Sequence, residues 1–113
     1  MTVHRFILAA ACLALGGAAT AALAQQGAGG NAEAARAKNS MCIGCHGVPG
    51  YKAAFPEVYH VPKIGGQQAV YLVNALKAYR SGARNHPTMH SIAASLSDQD
   101  IADLAAYYSG GGK

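Results

Sequence analysis

The sequence predicts an all-α fold on three observations. Two segments, residues 66–81 and 97–109, place apolar residues at the three- and four-residue spacing of a buried helix face. Residues that start and end helices flank both segments. No segment alternates polar and apolar residues as a half-buried strand does. We therefore expect helices joined by loops, without a β-sheet.

The first 24 residues predict an export signal. A basic Arg5 precedes residues 6–24, which carry no charged side chain and end in the Ala-x-Ala pattern of a cleavage site. The alternative is an uncleaved membrane anchor, since an uncharged stretch of this length can just span a bilayer. Alanine and glycine gain little free energy in lipid, which favours cleavage after Ala24. We predict a cleaved signal peptide over residues 1–24, a periplasmic location and no membrane span in the mature protein.

The mature chain divides into a short leader and one small domain. Residues 25–31 are rich in glycine and glutamine, which is typical of a flexible leader, and residues 32–113 form the domain. A chain this short buries little apolar surface, so a covalent staple or a bound group must add stability. The full sequence has a formal net charge of +4, and its basic residues are scattered, which argues against binding to nucleic acid.

The first helix is expected over about residues 32–44. Asn31 is a suitable N-cap, and the residues that follow are largely good helix formers. This helix places Cys42 on its last turn, and Gly44 and Gly47 help the chain to leave it.

The second and third helices carry the clearest buried stripes. The second covers residues 66–81 and ends at Gly82. The third begins at Ser97, whose side chain forms a capping pair with Asp100, and it stops at residues 110–112. The expected buried positions are Ala69, Leu72, Val73, Leu76 and Tyr79 on the second helix, and Ile101, Leu104, Ala105 and Tyr108 on the third.

Two long connections, about residues 47–65 and 82–96, separate these helices. Structureless loops of such length are uncommon in a compact domain. Three short helices do not close a core made of protein alone at this size, whereas a large, flat, apolar cofactor would give both loops a surface to pack on. The architecture therefore indicates a prosthetic group.

Residues 42–46, Cys-Ile-Gly-Cys-His, allow three interpretations. A thioredoxin-like dithiol requires Cys-x-x-Cys at the start of a helix that follows a strand, and the sequence shows no strand. A zinc site would combine Cys42 and Cys45 with His86 and His90, but the gap between the two pairs is far longer than in a zinc finger. It also leaves His46 without a role.

Covalent haem attachment uses every residue of the motif. Cys42 and Cys45 lie about one helical turn apart, so both thiols can add to the vinyl groups on one edge of a porphyrin. His46 then directs its imidazole at the iron. With one such motif in the chain, we predict one haem c.

Met89 is the expected second iron ligand. The chain has three methionines; one leaves with the signal peptide, and Met41 lies beside Cys42 on the proximal helix. A thioether is a usual partner of histidine in electron-carrying haems. His86, His90 and His60 remain as competing ligands.

The order of these motifs resembles the class I bacterial cytochromes c. The residues that carry the resemblance are Cys42 to His46, residues 61–68, Tyr71 and Leu72, the turn at residues 79–82, Met89, and residues 96–108. The resemblance is to the short periplasmic kind usually called five-fifty-three, or to one half of its di-haem relatives. It implies crossing N- and C-terminal helices, a haem crevice with one exposed edge, and a Pro62 carbonyl that accepts a hydrogen bond from His46 Nδ1.

With histidine and methionine on both axial positions, the iron has no open site for a substrate. We therefore predict a non-enzymatic, one-electron carrier that docks transiently on redox partner proteins, helped by Lys52, Lys63, Arg80 and Arg84. Two alternatives stay open. One is a peroxidase-like haem enzyme with an open iron site, and the other is the cytochrome subunit of a dehydrogenase complex.

Overall fold

The computed structural model describes residues 29–112, which form five helices and one small sheet. The elements are α1 Ala32–Arg36, α2 Ser40–His46, β1 Lys52–Ala53, β2 Tyr59–His60, α3 Ala69–Ser81, α4 Pro87–Ala94 and α5 Asp98–Ser109. The signal peptide predicted over residues 1–24 lies outside the described residues, as do residues 25–28 of the leader. Within residues 29–112, no helix has the length and apolar character needed to cross a bilayer.

The beginning of the described chain packs against its last helix. The Asn31 side chain caps α1, while its backbone N–H donates to the buried carboxylate of Asp103 on α5 at 2.8 Å. Gly30 lies so close to α5 that a Cβ atom there would come within 1.9 Å of the Ala102 carbonyl oxygen. This packing of α1 on α5 agrees with the helix pairing that the family resemblance implies.

The predicted buried stripe of α5 is confirmed, since its four positions are all buried. The stripe of α3 is confirmed in part: Leu72 is buried, Ala69, Val73 and Leu76 are half-buried and pack against the core, and Tyr79 is half-buried. Ser97 and Asp100 form the expected capping box. Helix α3 begins at Ala69 rather than at residue 66, because Gly66 has a φ of +84°, which no α-helix accommodates.

The first helix is divided in two, so the prediction of one helix over residues 32–44 is wrong. Helix α1 ends at Arg36, and the Lys38 N–H then bonds to the Ala35 carbonyl in a tighter turn. Asn39 is a weak helix former, which favours the break. Helix α2 continues to His46, so Cys42 lies in its first half rather than on a last turn.

Both long connections contain regular structure that the sequence did not predict. Residues 82–96 include α4, which starts at Pro87 because proline suits the first helical position and because His86 Nδ1 accepts from the Met89 N–H at 3.3 Å. Residues 47–65 include β1 and β2, an antiparallel pair with Lys52 opposite His60. The expectation of a chain without a sheet is therefore wrong, although each strand has two residues.

Candidate haem site

A cavity of about 540 Å³ lies among α2, α3, α4 and α5. All four predicted site residues line it: Cys42, Cys45 and His46 from α2, and Met89 from α4. Much of the remaining wall is apolar, and it includes Leu72, Ala75, Leu76, Ile92 and Leu104. The fold thus gathers residues that are more than 40 positions apart in sequence around one apolar space.

Helix α2 determines how the two thiols are presented. Cys42 and Cys45 are three positions apart on one helix, so their side chains lie on the same face. Both are free cysteines. Cys42 is buried, and burial raises the pKa of its thiol, whereas Cys45 is half-buried. The two thiols are not bonded to each other, and both residues line the cavity.

The orientation of His46 is set by a contact outside its own helix. His46 Nδ1 lies 2.6 Å from the carbonyl oxygen of Pro62. A carbonyl oxygen only accepts hydrogen bonds, so Nδ1 carries a proton, and in the neutral ring Nε2 then keeps its lone pair. The role expected for Pro62 is confirmed, and the imidazole is in the tautomer that coordinates a metal through Nε2.

Met89 lies on the first turn of α4, with its thioether at the cavity wall. Of its three competitors, His60 and His90 do not line the cavity. His90 Nδ1 is instead 2.8 Å from the Tyr79 carbonyl oxygen. His86 does line the cavity, but its Nδ1 caps α4.

A cluster of aromatic rings and one cation lies at another part of the cavity wall. The His86 ring packs edge-on against Tyr59 and Tyr79, with ring centres 5.1 and 6.3 Å apart. The Arg84 guanidinium lies 4.8 Å from the Tyr79 ring centre and donates to the Tyr71 hydroxyl at 3.3 Å, a contact that raises the pKa of Arg84. Sequence reasoning missed this aromatic cluster, because its members come from three separate segments with no common motif.

Arg80 makes structural contacts within the domain, and its expected docking role stays a prediction. Its guanidinium donates to the Leu96 carbonyl at 3.1 Å and pairs with Asp98. These contacts join the end of α3 to the start of α5. The hydrogen bond from Arg80 also holds the pKa of the Asp98 carboxyl below its usual range.

The zinc and dithiol interpretations find no support in the described part of the chain. Residues 29–112 contain no group of three or more His, Cys, Asp or Glu side chains able to hold a metal ion. The Cys-x-x-Cys pair also does not follow a strand. By contrast, two free thiols, an imidazole with a free Nε2, a thioether and apolar walls are the donor set that haem c requires. The residues present fit this group.

Comparison with known proteins gives the same family. The family described as Cytochrome c matches residues 31–109. Cytochrome c-554(548) of Halomonas halodenitrificans is 46% identical over 83 residues, which cover 71% of this chain and 95% of that protein. Cytochrome c4 of Pseudomonas aeruginosa is 38% identical over 81 residues, covering 72% of this chain and 38% of that protein. The chain therefore spans about two fifths of the length of this second relative.

A solved structure and a further relative add to this comparison. The structure of cytochrome c4 from Acidithiobacillus ferrooxidans superposes with a TM-score of 0.56 at 26% identity, over 76% of this chain and 54% of that one. A thiosulfate dehydrogenase electron acceptor of Thiomonas intermedia is 36% identical over 76 residues, which are 67% of this chain and 34% of that protein. The narrower likeness to the five-fifty-three kind stays a prediction. The chain belongs to the cytochrome c family, as a class I electron-transfer cytochrome with one covalently bound haem c.

Proposed function

We propose that haem c is attached at Cys42 and Cys45, that His46 and Met89 hold its iron, and that the exported protein carries single electrons between redox partners. The observation that supports this assignment is that all four side chains line one cavity. Three of them lie on α2 and the fourth lies on α4, so the two candidate iron ligands, His46 and Met89, come from separate elements.

The two thiols would attach the group by addition. Each thiol adds across one vinyl double bond, so that a sulfur–carbon bond forms and the thiol hydrogen goes to the other vinyl carbon, without net oxidation. The reaction requires reduced cysteines, and both are free. One helical turn separates them, which matches attachment along one porphyrin edge.

Bound haem supplies one-electron exchange between its ferric and ferrous states. His46 would offer its Nε2 lone pair, which the Pro62 carbonyl orients through Nδ1. The Met89 sulfur, a soft ligand, would also hold the iron and would favour the ferrous state. If His46 and Met89 both hold the iron, the iron would keep no open site for a substrate, which supports a carrier rather than an enzyme.

Two methionines that both line the cavity provide a matched test of the second ligand. The Met89→Ala and Met41→Ala variants are produced in a host that attaches haem c, and each is examined by absorption spectroscopy. We expect Met89→Ala to lose the weak long-wavelength ferric band that the family resemblance leads us to expect for sulfur–iron coordination. Met41→Ala should keep it. Persistence of the band in Met89→Ala would contradict the assignment.

A high-spin ferric spectrum in the wild-type protein would favour the alternative of an enzyme with an open iron site. Attachment itself is tested by mass: the denatured wild-type protein should retain one haem, and Cys42→Ala/Cys45→Ala should retain none. Colourless wild-type protein from the same host would contradict the whole assignment.

A second candidate function is a cytochrome subunit bound permanently to a dehydrogenase. It is favoured by the similarity to a thiosulfate dehydrogenase electron acceptor. Size-exclusion chromatography of the native periplasmic fraction distinguishes the two. A free carrier elutes near the mass of the mature chain, whereas a subunit elutes with a larger partner, and recovery only from the cytoplasm would contradict export.

A further inference from the structure

One buried polar group of the cavity wall lacks a partner. The Tyr108 side chain on α5 is 4% exposed, and its hydroxyl oxygen forms no hydrogen bond with any of the described residues. Buried hydroxyl groups in native proteins are nearly always hydrogen-bonded, because leaving one unpaired costs free energy. A phenylalanine would fill the same space without that cost, so the hydroxyl points to a partner with which the chain without haem does not form a hydrogen bond.

The neighbouring group is the Cys42 sulfur. Cys42 and Tyr108 belong to one buried cluster, and both line the cavity. Their side chains interact closely enough to influence each other's pKa, although burial has the larger effect and raises the pKa of both groups. The present contact does not have the geometry of a hydrogen bond.

Attachment changes what this sulfur can do. A free thiol is both a weak donor and a weak acceptor. When the thiol hydrogen has passed to the vinyl carbon, the resulting thioether has no hydrogen and only accepts. The Tyr108 hydroxyl is then the donor of the pair, and the sulfur is the acceptor.

We propose that the Tyr108 hydroxyl donates a hydrogen bond to the Cys42 sulfur in the haem-bearing protein, and that it thereby positions the attached edge and raises the reduction potential. This inference rests on the proposed attachment at Cys42. A hydrogen bond to the sulfur draws electron density away from the porphyrin edge, which favours the ferrous state. Tyr108 is thus a positioning residue that acts through the cysteine.

The test compares Tyr108→Phe with Tyr107→Phe, each in the haem-bearing protein. Both changes remove one phenol oxygen, and the two rings are neighbours with centres 5.0 Å apart, but Tyr107 does not line the cavity. We expect Tyr108→Phe to lower both the reduction potential and the denaturant concentration at the unfolding midpoint. Tyr107→Phe should leave the potential at the wild-type value.

Each other result overturns the inference. An unfolding midpoint that is unchanged or raised in Tyr108→Phe means that the hydroxyl has no partner in the loaded protein. A lower midpoint with an unchanged potential means that its partner is not the thioether. In both cases haem remains attached, so the proposed function would survive, whereas wild-type protein without covalent haem would defeat that function first.

If the Tyr108→Phe variant does not acquire haem, a measurement on the wild-type protein tests the same hydrogen bond. In the reduced, diamagnetic state, proton NMR should show a slowly exchanging Tyr108 hydroxyl proton with a nuclear Overhauser contact to the Cys42 β-protons. A hydroxyl proton in rapid exchange with water, or one without that contact, would refute the hydrogen bond.

Discussion

Helix α5 and the segment of residues 47–65 use their apolar residues in opposite ways. On α5, Ile101 is fully buried against other parts of the chain. In the segment, Phe55 and Val58 are 63% and 75% exposed. The helix is therefore a core element of the polypeptide itself, whereas the segment presents apolar side chains for which the chain provides little cover. We infer from this difference that protein contacts hold α5 in place, whereas the residues of the segment that line the cavity, such as Phe55, depend on a bound group for their packing.

The difference follows from what surrounds each region. Helix α5 packs against α1 and against α3. Because Gly30 has no side chain, the chain at Gly30 can also approach the backbone of α5 closely. The segment is organised by one pair of two-residue strands and by the Pro62 carbonyl that reaches His46. Short strand pairs are marginal on their own. The conformation of residues 47–65 is therefore expected to depend on what fills the cavity that these residues line.

The largest expected effect comes from removing the attachment site. In Cys42→Ala/Cys45→Ala, amide hydrogen exchange should become fast throughout residues 47–65, because their packing surface is lost. Exchange in α5 should remain slower than in that segment. Hydrogen exchange followed by mass spectrometry measures both regions in one sample. Equal loss of protection in α5 would show that the two regions form one cooperative unit.

The next effect compares a buried and an exposed aliphatic residue. Ile101→Ala in the haem-bearing protein should lower the free energy of unfolding by about 2–5 kcal/mol, because it removes a fully buried side chain from the core. Val58→Ala should change it by less than about 0.5 kcal/mol, since this side chain is 75% exposed. Chemical denaturation gives both values. A cost at Val58 close to that at Ile101 would mean that the segment is well packed in the loaded protein.

A smaller effect is expected from adding one methyl group where α5 meets the start of the domain. Gly30→Ala places a Cβ atom against the Ala102 carbonyl oxygen, so we expect a loss of about 1–3 kcal/mol. Gly29→Ala is the matched control, because nothing lies within 4 Å of its added Cβ. If thermal unfolding shows equal stability for the two variants, the close approach of Gly30 to α5 does not contribute to the core.

The smallest expected effect is a loss of folding stability at acid pH that arises from Asp103 on α5. The Asn31 N–H, Gln99 and Lys38 all donate to Asp103 and hold the pKa of its carboxyl below its usual value of about 3.9. A lowered pKa stabilises the fold above that usual value, and the contribution is lost as pH falls through the folded-state pKa.

Asp103→Asn should therefore give a flatter profile of stability against pH below about pH 4 than the wild-type protein does. The denaturation midpoint measured across that range checks this result. Hydrogen exchange in residues 47–65 should not follow the same titration, because Asp103 and its three donors all lie outside that segment. Parallel profiles for the variant and the wild-type protein would contradict the role of Asp103.

The sequence predicts best what local signals determine. Helix α5 follows from Ser97, Asp100 and a regular apolar stripe, all within one short segment. Helix α4 was missed because its cap is the histidine side chain of His86, a residue that is not among the usual N-caps. The small sheet was missed because strands of two residues cannot show an alternation of period two.

The same distinction between local and distant signals holds for the site residues. The motif of Cys42, Cys45 and His46 can be recognised in the sequence because its residues lie within five positions of one another. The Pro62 carbonyl was expected only from the family resemblance, since nothing in the residues themselves links it to His46. The sequence placed Tyr108 on a buried stripe, but the missing partner of its hydroxyl is a property of three-dimensional packing, which depends on residues far apart in the chain.

The hydrogen bond from Asn31 to Asp103 joins residues 72 positions apart. Such a contact closes a very long loop, and contacts of this kind form slowly. The α1–α5 pairing therefore cannot be completed until nearly the whole domain has been synthesised, because its two partners lie at opposite ends of the domain. The two cysteines of α2 lie within the loop that this contact closes, so the attachment motif is synthesised well before the helix that completes the fold.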